Sequence, residues 1–337
     1  MDIASSNLDG NADAVEFCPY PTFHDLLAAA TYTLHQDGAK LTRSGSISLF
    51  SATSSCLQLL HRVHTPGVFD IKWNPCIYEA NLLAQAGADG FITLYSLHST
   101  ELSLSEFCKE EVSSSMCLSV DWSSSGSLIS LGLSDGHVST SLLREDKLQI
   151  LQSWKAHEYE TWAVSSDICQ PDHLLYTGSD DCCFSCWDLR QSPASPVFRN
   201  AKSHKMGVCC IAPCPRDSNT LLTGSYDESV RVWDARSVSR PVVQSSACLG
   251  GGVWRLKNHP WIPGLVLAAC MHGGFAILKI DGDKIDILET YTKHESLAYG
   301  ADWQKADGCM EQGSGSSVVA TCSFYDSLLR LWKPRNL

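Results

Sequence analysis

The chain has 337 residues, 44% of them hydrophobic and 18% charged, which supplies material for a folded core and excludes general disorder. Its 37 acidic against 25 basic residues give a formal net charge of -12, which disfavours nucleic-acid phosphate and anionic lipid and suits a cationic ligand or partner. No stretch approaches the ~18 continuous apolar residues that cross a bilayer, so neither a nucleic-acid nor a membrane role is expected.

At the N-terminus, MDIASSNLDGNADA is polar and acidic and lacks the apolar core of a secretory signal. The 16 cysteines are therefore expected to be reduced thiols of a cytoplasmic protein. Next comes an apolar segment, AVEFCPYP at 14–21, and after it a ruler runs along the chain. A turn residue is followed six positions later by the end of a short strand: Asp89 and Tyr95, Asp135 and Ser141, Asp181 and Trp187, Asp227 and Trp233, Asp326 and Trp332. His272 takes the turn place before Leu278, and Ser44 takes it before Phe50. Successive strand ends lie 45, 46, 46, 46, 45 and 54 residues apart. So regular a period overrides the two-domain expectation from length and predicts one domain over 1–337.

Each period contains a hydrophobic strand such as VFDIKW (68–73) or CLSVDW (117–122), then a second apolar strand leading into the turn, as in LLTGSYD (221–227). Alternation resumes in SVRVWD, so each period reads as a small antiparallel sheet. Such a sheet cannot bury both faces alone, and stacking successive copies radially closes a ring with short protected edges. GSDDCCFSCWDLR (178–190) and GSYDESVRVWDAR (224–236) resemble the WD-repeat signature. The resemblance implies an all-β, seven-bladed WD-repeat β-propeller, and a His before each first strand that pairs with the turn Asp. His64, His157, His204 and His294 stand 25, 24, 23 and 32 residues before theirs. Because Trp332 is followed by five residues, another segment must supply the last blade's outer strand, and 14–21 is expected to close the ring. The long final step is assigned to a flexible insertion at 305–317, whose Gly and Ser content reads as a loop.

Blade six departs from its neighbours. It carries LGGGVWRLKNHP (249–260) and LAACMHGGFAIL (267–278), and in a propeller these two loops open on one face. Gly250, Gly251 and Gly252 can present backbone N–H groups to an oxyanion, and His272, released from the Asp role, can act as a general base. A tight loop and a surface His explain the same residues without chemistry. Trp162 and Trp254 hold matching places at the start of innermost strands, either as core or at the edge of the channel. At the channel edge, with Tyr226, Tyr325, Asp227, Glu228 and Arg255 nearby, they would bind substrate and enclose a quaternary ammonium by cation–π attraction. Cys182, Cys183, Cys186, Cys209, Cys210 and Cys214 invite a metal reading, but Cys186 occupies the slot that Val232 fills one blade later, so no metal is expected.

The strings GSYDE at 224, GGGVWRLK at 250, HP at 259, ACMHGGF at 269, YGADW at 299 and ATCSFYD at 320 resemble the WD-repeat diphthine methyl ester hydrolases, also called diphthine methyltransferase homologues. That resemblance implies hydrolysis of a methyl ester on the modified histidine of translation elongation factor 2; a monomer without a cofactor is expected. The competing reading is a non-enzymatic scaffold. Trp187-Asp188-Leu189-Arg190 and Trp233-Asp234-Ala235-Arg236 fit the WDxR pattern of cullin-type ubiquitin-ligase substrate receptors, which would dock a ligase adaptor through the Arg.

Overall fold

Alternating apolar strands joined by tight turns build seven antiparallel sheets, six with four strands in radial order and one, blade one, with a fifth. The structure is a computed structural model and describes residues 1–38, 40–53, 55–76, 81–305 and 317–335. Innermost strands, covered on both faces, are almost wholly buried, as in Ala12–Phe17 and Val68–Trp73. Outer strands alternate, as in Val242–Cys248, because one face meets solvent.

The ring closes through its N-terminus, but not with the expected segment. Asp2–Asn7 pairs antiparallel with Leu328–Trp332 and completes blade seven. The predicted closing segment at 14–21 instead falls largely in Ala12–Phe17, the innermost strand of blade one. Burial explains the exchange: an apolar run belongs at the axis, whereas the half-exposed DIASSN suits an outer edge. Ser44 is likewise no turn residue. Thr33–Asp37 pairs with the start of Lys40–Ala52, so blade one carries a projecting hairpin where the ruler placed a turn. Most of the predicted insertion, 306–316, lies outside the described residues; it falls between Ala298–Trp303 and Val319–Ser323.

Three blades carry the full polar chain from turn to core. In blade four Trp187 Nε1 donates to Thr177 Oγ1 at 2.9 Å, Thr177 Oγ1 lies 2.7 Å from His157 Nε2, and His157 Nδ1 faces both Asp181 oxygens at 3.1 Å. Blade five repeats this with Trp233, Thr223, His204 and Asp227. Blade seven uses Trp332, Thr321 and His294, with Ser323 interposed before Asp326. The predicted pairing of His64 with Asp89 does not form. His64 is largely exposed, 3.9 Å from Asp9, and Asp89 is held by Lys109 at 2.8 Å. Blade two has Gln85 and Tyr95 in the Thr and Trp places, and they bond directly to each other, leaving the imidazole no role.

Candidate functional site

Every innermost strand except blade six's slips register at its second residue, where a β-bulge turns an unpaired side chain toward the axis. The residues so placed include Asp13, Phe69, Trp162, Cys209 and Tyr299, and Trp254 holds the same place just before Arg255, where pairing begins in blade six. Trp162 and Trp254 meet at 5.3 Å between centroids, Trp254 stacks on Tyr299 at 4.7 Å, and Tyr299 meets Phe324 at 5.1 Å. Tyr32 continues the row to Phe69 at 4.6 Å. An aromatic arc therefore runs round the channel mouth from blade four through blades six, seven and one to blade two. Tyr226 joins it from blade five, 6.0 Å from Trp254. Trp162 and Trp254 thus meet each other, the Trp254 indole Nε1 is buried without a hydrogen-bond partner, and Asp180 lies beside the indole of Trp162.

Below the arc the channel is lined with carboxylates. Asp302 accepts the Phe17 amide, Glu16 the Trp73 amide, Asp70 the Val120 amide and Asp121 the Ser166 amide, at 2.9 to 3.2 Å. Each carboxylate thereby clamps its blade to the next. Each also has a cation: Lys305 beside Asp302, Lys257 beside Glu16, Arg255 beside Asp70 and Lys72 beside Asp121. At the opposite mouth Glu16 with Lys257, Asp121 with Lys72, and Lys305 border a cavity of about 520 Å³. Trp73, Trp122 and Trp303 latch neighbouring blades there through indole bonds to backbone oxygens, and Asn258 does the same with its amide to Pro213.

Blade six has dismantled the polar chain of its neighbours. Leu249 takes the loop His place, its amide meeting the Glu228 carbonyl, while Ala268 and Leu278 stand where Thr and Trp would. All three are buried in one apolar cluster. His272, at the turn, is exposed and has no hydrogen-bond partner among the described residues. The two deviant loops do touch: a Cβ on Gly251 would lie 2.6 Å from the Gly273 nitrogen, and one on Gly252 would lie 2.8 Å from Met271 Sδ. Gly251 and Gly252 are buried, yet their amides have no acceptor among the described residues, unlike those of Leu249 and Val253. Met271, next to His272, packs with Trp254 in the aromatic cluster, so turn, glycine loop and arc form one region.

Other predicted site residues fall elsewhere. Asp227 is scaffold: it accepts the Lys205 and Ser229 amides, faces His204 and pairs with Arg231, which keeps its carboxyl below the usual range despite burial. It has no charge to spare for a ligand. Arg255 is committed to Asp70 at 3.1 Å inside the channel. Glu228, with φ 63°, sits in the turn and accepts from the Cys248 thiol. Tyr325 is exposed and packs edge-on against Phe324 at 5.0 Å. Arg190 and Arg236 are exposed, but each closes its guanidinium on its own strand's Asp188 or Asp234. Cys186 is fully buried beside Tyr176 and Phe184, so it fills core as Val232 does. Sequence reasoning passed over Asp13, whose signal was its alignment with Phe69 and Trp162 at the second place of innermost strands.

Against known proteins, the WD domain, G-beta repeat family matches residues 148–188 and 197–234. A chain of the crystal structure of a mitotic checkpoint complex superposes over 99% of this chain and 95% of its own, with TM-score 0.76 at 16% identity, which shows the shared fold. The diphthine methyltransferase homolog of Dictyostelium discoideum is 30% identical over 97% of each chain. The diphthine methyltransferase of Schizosaccharomyces pombe is 33% identical over 94% of each, and that of Mus musculus is 36% identical over 87% of this chain and 67% of its own. At that identity and coverage, the chain belongs to the diphthine methyltransferase family of WD-repeat propellers.

Proposed function

We propose that this protein hydrolyses the methyl ester of diphthine methyl ester on translation elongation factor 2, releasing methanol and diphthine in diphthamide biosynthesis. One observation carries the reading: the turn that blade six has freed from scaffold duty adjoins the aromatic arc at the channel mouth. A proton-transfer group and a cation-binding surface thus meet, and this substrate bears both an ester and a trimethylammonium. The chain's net charge of -12 suits the same substrate. Among the described residues the one helical segment is the single turn Pro21–Phe23, so there is no Gly-rich strand-to-helix cradle for a nucleotide-like methyl donor, which favours hydrolysis over methyl transfer.

In this mechanism His272 takes a proton from water as the water oxygen attacks the ester carbonyl. The Gly251 and Gly252 amides stabilise the oxyanion, and Trp162, Trp254 and Tyr226 hold the cation. Collapse of the intermediate expels methoxide, which leaves as methanol with the proton returned by His272. Incubating the protein with methyl-esterified factor should remove one methyl mass unit, equally with and without chelator. His272→Ala should lower turnover by roughly 100-fold or more. Unchanged turnover in that variant removes His272 from the mechanism, and no demethylation by the wild type removes the reading.

A further inference from the structure

Among the described residues, four carboxylates of the innermost strands have structural work: Glu16, Asp70, Asp121 and Asp302 each hold a neighbouring blade's amide and a cation. Asp13 has neither. It is 2% exposed, it makes no hydrogen bond among the described residues, and its Oδ1 is buried without a partner. Arg255, the basic group whose field reaches it, is already paired with Asp70, so a charge on Asp13 is uncompensated. Such a group costs stability wherever it is ionised, and a scaffold has no use for it. Its surroundings supply the missing half of a site. In ring order its neighbours are Tyr299 of blade seven and Phe69 of blade two, both members of the same aromatic arc.

We propose that Asp13 is the anionic member of a quaternary-ammonium site whose walls are Phe69, Trp162, Trp254 and Tyr299. The inference rests on the functional reading above, and replaces Asp227, which the scaffold consumes, as the acid that meets the substrate's trimethylammonium. A quaternary ammonium donates no conventional hydrogen bond; it is held by ring faces and a nearby negative charge, which is what an unbonded carboxylate among aromatics offers. Burial pushes the Asp13 carboxyl up to about 8, Arg255 lowering it and Asp70 raising it, so the empty site is mainly neutral near pH 7. A bound cation favours the ionised form, so binding releases a proton. The other titratable groups that face Asp13 do not confuse this signal. Arg255 and Asp70 neutralise each other, and burial pushes the Tyr226 and Tyr299 hydroxyls and the Cys322 thiol far above neutrality.

The test uses tetramethylammonium chloride as probe, titrated by tryptophan fluorescence and by calorimetry in two buffers of different ionisation enthalpy. Wild-type protein should bind it at pH 7 with release of part of a proton, and more tightly as pH rises toward 9. Asp13→Asn, isosteric and uncharged, should weaken binding tenfold or more and abolish proton release. Trp162→Leu should weaken binding while proton release per bound ion persists. Neutral tert-butanol should not compete. Absent wild-type binding, equal affinity in Asp13→Asn, or equal binding of tert-butanol overturns the proposal. Running the ester assay in parallel separates the two ideas: binding without demethylation sinks the hydrolase reading and keeps the site, whereas demethylation unchanged in Asp13→Asn, with tetramethylammonium bound as in wild type, does the reverse.

Discussion

Blades five and six fill the same slot in opposite ways. Blade five threads a hydrogen-bonded chain, Trp233 to Thr223 to His204 to Asp227, through its buried heart, and blade six fills that space with Leu278, Ala268 and Leu249. Either solution satisfies a packed interior, because polar groups there must be paired or be absent. They differ at the surface: the polar chain ties down its turn residue, whereas the apolar one leaves His272 without structural duty. A propeller can therefore release a turn for chemistry by greasing the blade beneath it.

Breaking blade five should give the largest effect. His204→Ala strands Thr223 and Asp227 under partial burial and should cost about 2–4 kcal/mol in a denaturant titration. Acid should act on blade five, and on blade seven, by another route. Burial holds His204 and His294 down at about 4, so between pH 6.5 and pH 4 the unfolded chain binds protons that the folded one does not. Stability should thus fall as pH drops through that window, by a few kcal/mol in all. Hydrogen-exchange protection factors should decline in Ser229–Asp234 of blade five and in Leu328–Trp332 of blade seven through that window. Third, Leu249→His puts an imidazole into an apolar slot with no Thr or Asp to receive it and should cost roughly 1–3 kcal/mol by thermal unfolding. The smallest effect tests the freed turn: His272→Ala should change stability by less than about 0.5 kcal/mol. A larger loss would return His272 to the scaffold.

The ring of seven was legible because its signal is periodic, and so were the neighbouring loops of blade six, since strand alternation decides which loops share a face. The closing strand was misplaced because apolarity was read without asking which strand of a blade is covered twice. ADAVEF shares its pattern with VFDIKW and CLSVDW, and that match already marked it as innermost. Missing that assignment hid Asp13, which becomes conspicuous only when aligned with Phe69 and Trp162. Its lack of a partner is a three-dimensional fact that spacing does not carry. Asp227 misled in the other direction: its acidity is plain in the sequence, while Lys205, Ser229, His204 and Arg231, which consume it, converge only on folding.

The seam of the ring has a topological meaning. Residue 1 lies against residue 333, with the Lys333 amide bonded to the Met1 carbonyl at 2.8 Å, so the two ends of the described chain are neighbours. A short linker across that seam would turn the molecule into a covalent circle, which could then be opened at any exposed inter-blade loop, giving circular permutants that keep every strand pair. Permutants cut within Gly250–Gly252 would be the instructive exceptions, since there the break falls in the loop beside His272 rather than in a passive connection.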